Sequence, residues 1–131
     1  MKKIWILAAL MMAVCCHAQT GGAGTTSHRV EILESQSGQT IAVHKTDDVV
    51  VTFVASSGTG YEWQMEPTKL ATAKEEDVPQ KPGLPGGPVT MMFHVQLKKT
   101  GIVTLHFKFF RAWEKTTPPA KTFSVTLKAT D

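Results

Sequence analysis

The chain has 131 residues, about the length of one domain, with a net charge of +3 at pH 7, five histidines and two cysteines. Both cysteines, with Lys2 and Lys3, lie in an N-terminal segment expected to be removed; without it 12 basic residues stand against 11 acidic ones, or +1. That balance leaves a nucleic-acid or polybasic membrane role without support, and it leaves no disulfide, thiol nucleophile or thiolate ligand to reason from.

The N-terminal segment begins Met1-Lys2-Lys3, continues as an apolar run from Ile4 to Val14, and closes on Cys15-Cys16-His17-Ala18. A basic start, a short apolar stretch and a small-residue exit predict a secretory signal peptide over 1–18, since a membrane span needs ~20 apolar residues. The expected cut follows Ala18, with Cys16 and Ala18 at the two small-residue positions; lipid attachment at Cys15 or Cys16 is the alternative, disfavoured by bulky Val14. The export this implies is periplasmic or secreted. Residues 19–28, rich in Gly and Thr, read as a flexible leader, and 29–131 as the folded domain.

From Arg29 onward the apolar period is two. Val30 and Ile32 alternate with polar residues, then Ile41 and Val43, then Val49, Val51 and Phe53. Tyr61 to Met65 makes a further strand, followed by Phe93-Val95-Leu97, Val103-Leu105-Phe107-Phe109 and Phe123-Val125-Leu127. Such alternation sets one face on a core and one in water, as antiparallel strands do. Turn signals at Ser37-Gly38, Thr46-Asp47-Asp48 and Lys98-Lys99-Thr100-Gly101 separate the runs. About seven strands at this spacing predict an all-β, immunoglobulin-like sandwich. The best helical candidate is Thr68 to Glu75, no more than one or two turns. Pro79, Pro82, Pro85 and Pro88 recur every third residue, which reads as a stiffened surface loop because Gly83, Gly86 and Gly87 interrupt any continuous polyproline helix.

The chain offers little to catalysis. His28, His44, His94 and His106 remain beyond residue 18. His94 and His106 would face each other across a tight hairpin at Lys99-Thr100 as half a metal site, but a connection that crosses between sheets would part them, and no third ligand presents itself. Ser56-Ser57 lacks a nucleophile-elbow context, Glu75-Glu76-Asp77 reads as solvated loop, and Gly83–Gly87 lacks the Lys-Ser/Thr and helix of a phosphate loop. No catalytic residue, metal or cofactor is expected.

Three inter-strand segments remain: Ser56-Ser57-Gly58-Thr59-Gly60-Tyr61-Glu62-Trp63, Gly83-Leu84-Pro85-Gly86-Gly87-Pro88 and Arg111-Ala112-Trp113. Each puts glycine-permitted backbone or a small residue beside a large side chain, as loops do when they touch a partner without doing chemistry on it. Trp63 shares an alternation phase with Tyr61 and is expected in the core; Trp113, beyond the alternating run, is expected on the surface. In order and spacing the segments resemble the inhibitory loops of the chagasin-like inhibitors of papain-family cysteine proteases. The family's first motif, Asn-Pro-Thr-Thr-Gly-aromatic-x-Trp, keeps Thr59-Gly60-Tyr61-x-Trp63 and loses its first three letters. Its Gly-x-Gly-Gly reads Leu84-Pro85-Gly86-Gly87, with Gly83 displaced by one, and its Arg-Pro-Trp reads Arg111-Ala112-Trp113.

The domain is expected to be a monomer; the resemblance runs from about Glu31 to Ala129 and implies a sandwich whose three loops wedge into the cleft of a papain-like cysteine protease as a reversible, competitive plug. Ser57, Gly58, Thr59, Gly60 and Tyr61 would form the first loop, lying over the catalytic cysteine, with any Cβ at Gly60 meeting the cleft wall. Leu84, Pro85, Gly86 and Gly87 would flank it on one side and Arg111, Ala112 and Trp113 on the other, Trp113 against aromatic protease surface and Arg111 in polar contacts. Losing Asn-Pro from the first loop and gaining Ala112 for proline both raise the ordering cost of binding. The alternative is an immunoglobulin-like adhesion or carbohydrate-binding module, which would want a flat platform of exposed aromatics.

Overall fold

A computed structural model describes residues 27–131; the expected signal segment 1–18, the paired cysteines and most of the expected leader lie outside the described residues. Eight strands form two four-stranded sheets. One sheet contains β1 (Arg29–Leu33), β3 (Asp48–Ser56), β6 (Pro88–Leu97) and β5 (Ala71–Pro79), in the order β1-β3-β6-β5. The other contains β2 (Thr40–His44), β8 (Lys121–Thr130), β7 (Gly101–Arg111) and β4 (Tyr61–Met65), in the order β2-β8-β7-β4. The sandwich predicted from the alternation is present, with one strand more than the alternation revealed.

That strand is β5, and it replaces the expected helical turns at Thr68 to Glu75 and the expected loop at Glu75-Glu76-Asp77. Only its first residue, Ala71, is buried. An edge strand is held by backbone pairing on one side, here from Ala71 opposite Leu97 to Pro79 opposite Val89, so its side chains need carry no apolar period. Its charges remain solvated and suit an edge that must not recruit another chain. The second departure is direction: β1 runs parallel to β3 and β2 parallel to β8, because a single 3-10 turn, Glu34–Gln36, carries the chain from one sheet to the other between two five-residue edge strands. Alternation reports which face is buried and is silent on direction.

Between the sheets lie Ile32, Val43, Val49, Val51, Phe53, Phe93, Val95, Val103, Leu105, Phe107, Phe123, Val125 and Leu127, all from the predicted alternating phases. Phe53 is the hub of an aromatic cluster. It stacks on Trp63 with centroids 4.1 Å apart at 12°, and packs against Phe93, Phe107 and Phe123 at 5.1–5.9 Å. Each such ring buried contributes ~1.5–3 kcal/mol, which lets the domain hold without a covalent staple.

The register fixes where the loops go. Ser56 pairs with Pro88 and Pro79 with Val89, so the β3–β4 and β5–β6 connections leave from one end of the first sheet. Tyr61 pairs with Arg111, so the β7–β8 connection leaves beside the start of β4 at the same end. At the opposite pole β1 enters, with Arg29 opposite Asp48, and β8 leaves, with Thr130 opposite His44. There Asp47 caps the β2–β3 turn: its carboxylate accepts the backbone N–H of His44 at 2.7 Å and of His28 at 3.3 Å. His94 and His106 stand on β6 and β7, in different sheets, as a crossing connection requires. His94 lies instead between Glu76 at 3.2 Å and Asp48 at 3.4 Å.

Candidate functional site: three interlocked loops at one pole

The first loop is a 3-10 turn, Ser57–Thr59, closed by Gly60 in the left-handed region at φ 72°. Thr59 stabilises it with its own hydroxyl, which donates to the Ser56 carbonyl at 2.8 Å and accepts the Tyr61 N–H at 3.3 Å. The second loop, between β5 and β6, is tied at its base by Gln80 N–H to the Pro88 carbonyl and turned by Gly87 N–H to the Leu84 carbonyl. Leu84 is left 54% exposed. The third loop, between β7 and β8, opens with Glu114 N–H returning to the Arg111 carbonyl at 3.0 Å, which presents Trp113 at 65% exposure.

These loops touch one another through their glycines. A β-carbon on Gly58 would lie 3.1 Å from the Cα of Gly86, so the first and second loops meet backbone to backbone. Beside that contact the N–H and the hydroxyl of Ser57 both donate to the Gly87 carbonyl at 3.2 Å. A β-carbon on Gly60 would lie 2.8 Å and 2.9 Å from Cζ3 and Cζ2 of Trp113 and closer still to Cη2, so the indole of the third loop lies directly on the first. The surface that any Gly60 side chain meets first is therefore this chain's own Trp113. Arg111 spans the same pair of loops: its Nε donates to the Thr59 carbonyl at 3.1 Å and its Nη1 to Glu114 at 3.1 Å, while the guanidinium lies 4.3 Å from the Tyr61 ring centroid. Tyr61 in turn stacks on Phe109 at 5.1 Å.

All twelve residues singled out from the sequence, Ser57 to Tyr61, Leu84 to Gly87 and Arg111 to Trp113, thus sit on the three loops or their strand ends at one pole. Trp63, 2% exposed, belongs to the core as its alternation phase predicts. Sequence reasoning missed Glu114, whose only signal is its place three residues beyond Arg111. It also missed an acidic border, formed by Glu62 on β4 with Glu75 and Asp77 on β5 beside Gly60 and Tyr61. Burial, then the charges of Asp77 and Glu62, raise the Glu75 carboxyl above its ordinary range. Among the described residues no group of three His, Cys, Asp or Glu side chains is placed to hold a metal ion. What the pole offers is a narrow ridge of small residues and backbone between an exposed leucine and an exposed tryptophan.

The sequence profile of the chagasin family peptidase inhibitors I42 matches residues 42–127, more than half of the chain. The chain belongs to the chagasin family. Among solved structures, this chagasin-family sandwich is similar to the cysteine protease inhibitor EhICP2 from Entamoeba histolytica, with a TM-score of 0.69 at 19% identity over 80% of this chain and 98% of that one. It is similar to amebosin with a TM-score of 0.66 at 20% identity over 79% and 98%. PbICP-C, solved in complex with falcipain-2, aligns more loosely, with a TM-score of 0.47 at 21% identity over 84% and 95%. No curated protein matches the sequence itself. The chagasin family is one of peptidase inhibitors and not of enzymes, and the chain has the family's cysteine protease inhibitor fold.

Proposed function

We propose that this chagasin-family protein is a reversible, competitive inhibitor of papain-like cysteine proteases that blocks the active-site cleft with its three loops. The observation that carries this reading is the convergence of Thr59-Gly60, Leu84–Gly87 and Trp113 on one ridge. Trp113 stands 65% exposed on that ridge, and Trp is among the side chains most enriched as interface anchors. No bond of the inhibitor is offered for cleavage. The protein acts as a monomer, exported to the periplasm or beyond by residues 1–18; the basic start and the apolar run Ile4–Val14 support that address.

A carbohydrate-binding or adhesion module fits the pole less well. Sugar platforms need several flat exposed aromatic faces, and here Tyr61 packs against both Arg111 and Phe109, leaving Trp113 as the exposed ring. The deciding experiment titrates the purified protein into a papain-like protease assay and follows alkylation of the catalytic thiol. Stoichiometric loss of activity, relieved by small active-site ligands, with a thiol shielded from a small alkylating agent, is the expected result. Absence of binding at stoichiometric concentration, or binding that leaves the thiol open, overturns the reading.

A further inference from the structure

The guanidinium of Arg111 is already engaged within the molecule. It offers five N–H donors in a rigid fork. One is directed at a backbone carbonyl of the first loop, Thr59 at 3.1 Å, and another at Glu114 in the third loop at 3.1 Å. One face is taken by Tyr61 at 4.3 Å, and the Trp113 ring centroid lies 5.9 Å away. Glu114 lies outside all three motifs, yet it closes the turn that presents Trp113 through its N–H to the Arg111 carbonyl, and its carboxylate holds the arginine head.

We propose that Arg111 and Glu114 are positioning residues that lock the first and third loops into one preassembled wedge, Arg111 acting through the Thr59 carbonyl and Glu114 acting through Arg111, instead of meeting the target's surface themselves. The proposal deepens the inhibitory reading and rests on it. Two features give the clamp work to do. The first loop turns through Ser57 and Gly58 and the third through Ala112, none of them a proline that would fix φ. A side-chain clamp spanning both loops restores order before binding, which lowers the entropy lost on association. Lysine would not serve, because a single ammonium cannot bridge a carbonyl and a carboxylate in a fixed plane as the arginine fork does.

The test compares wild type with Arg111→Lys, Glu114→Ala and the double variant by amide hydrogen exchange of the free protein, inhibition of a papain-like protease and urea midpoint. Each single variant is expected to speed exchange at the Tyr61 amide and to weaken inhibition about tenfold. The double variant is expected to lose no more than Arg111→Lys alone, because both residues act through one clamp. Fully additive losses, or a Glu114→Ala variant with wild-type exchange, overturn the proposal. So does faster exchange with unchanged inhibition. Glu114 is half-buried on a surface turn outside the core, so its variant keeps the test intact if Arg111→Lys does not fold. A wild-type protein that inhibits no papain-like protease fails the inhibitory reading alone, since the exchange arm, run without protease, still decides whether the clamp exists.

Discussion

Replacing Gly60 with alanine separates two demands that the loop makes on one residue. The first is backbone: φ of 72° lies in the left-handed region, where a β-carbon costs ~1–2 kcal/mol. The second is space, since the new methyl group would overlap the Trp113 ring. That ring is 65% exposed, so it swings away at little cost to the fold. Gly38, between β1 and β2, is the matched control, with φ of 79° and nothing within 4 Å of the place its β-carbon would take. Both variants should lose ~1–2 kcal/mol in a urea titration. Only Gly60→Ala should lose inhibition, by ~2 kcal/mol or about thirtyfold, the worth of a displaced tryptophan anchor. Only Gly60→Ala should alter the tryptophan fluorescence of the free protein. Equal stability losses with unchanged inhibition constants and unchanged fluorescence for both variants would refute the argument that Trp113 seated on Gly60 shapes the site.

Trp63→Ala, which empties the stack on Phe53, should lower stability by roughly 3–5 kcal/mol by urea midpoint. Trp113→Ala should leave the midpoint near wild type and weaken inhibition ~30-fold; an exchange of those two outcomes would mean that core and contact had been confused. The raised Glu75 carboxyl favours protonation in the folded state, so its contribution to stability is lost as pH rises past the ordinary carboxylate value of ~4.3. Glu75→Gln should accordingly raise the neutral-pH midpoint relative to its value at pH ~4, measured by urea titration at both. Asp47 has the opposite sign: the His44 backbone N–H holds its carboxyl below the ordinary range, giving stability above pH ~4 that is lost as pH falls. Asp47→Asn should lower the neutral-pH midpoint and flatten the acid limb of the profile.

The sandwich was legible because burial writes a period of two into the strands that face the core, from Val30-x-Ile32 to Phe123-x-Val125-x-Leu127, broken at Val49-Val50-Val51 of β3, where all three are buried. β5 was not, because Ala71 is its only buried residue and Lys74-Glu75-Glu76 follows helical preference while the chain follows the backbone groups of β6. The loops were legible through their glycines and tryptophans, whose spacing survives as text. Their mutual contacts were not: nothing local in the sequence places Gly58 against Gly86, 28 positions later, or turns Arg111 inward onto Thr59. Those pairings arise from register, which brings Tyr61 opposite Arg111 and Ser56 opposite Pro88. Glu114 matters only once Arg111 is known to face inward.

The entry of β1 and the exit of β8 at the pole away from the loops give the molecule a handle and a working tip. Whatever is joined ahead of Arg29 or behind Thr130, be it a lipid, a fluorescent reporter, a biotin or a bead, is attached at the grip, at the pole away from the three loops. Two such domains in series through a short linker would each have to bring a crest to its own target from a shared grip, so the linker length would set whether both can engage at once. A surface-captured format through either end is therefore the natural geometry for measuring this protein's binding kinetics without masking the ridge.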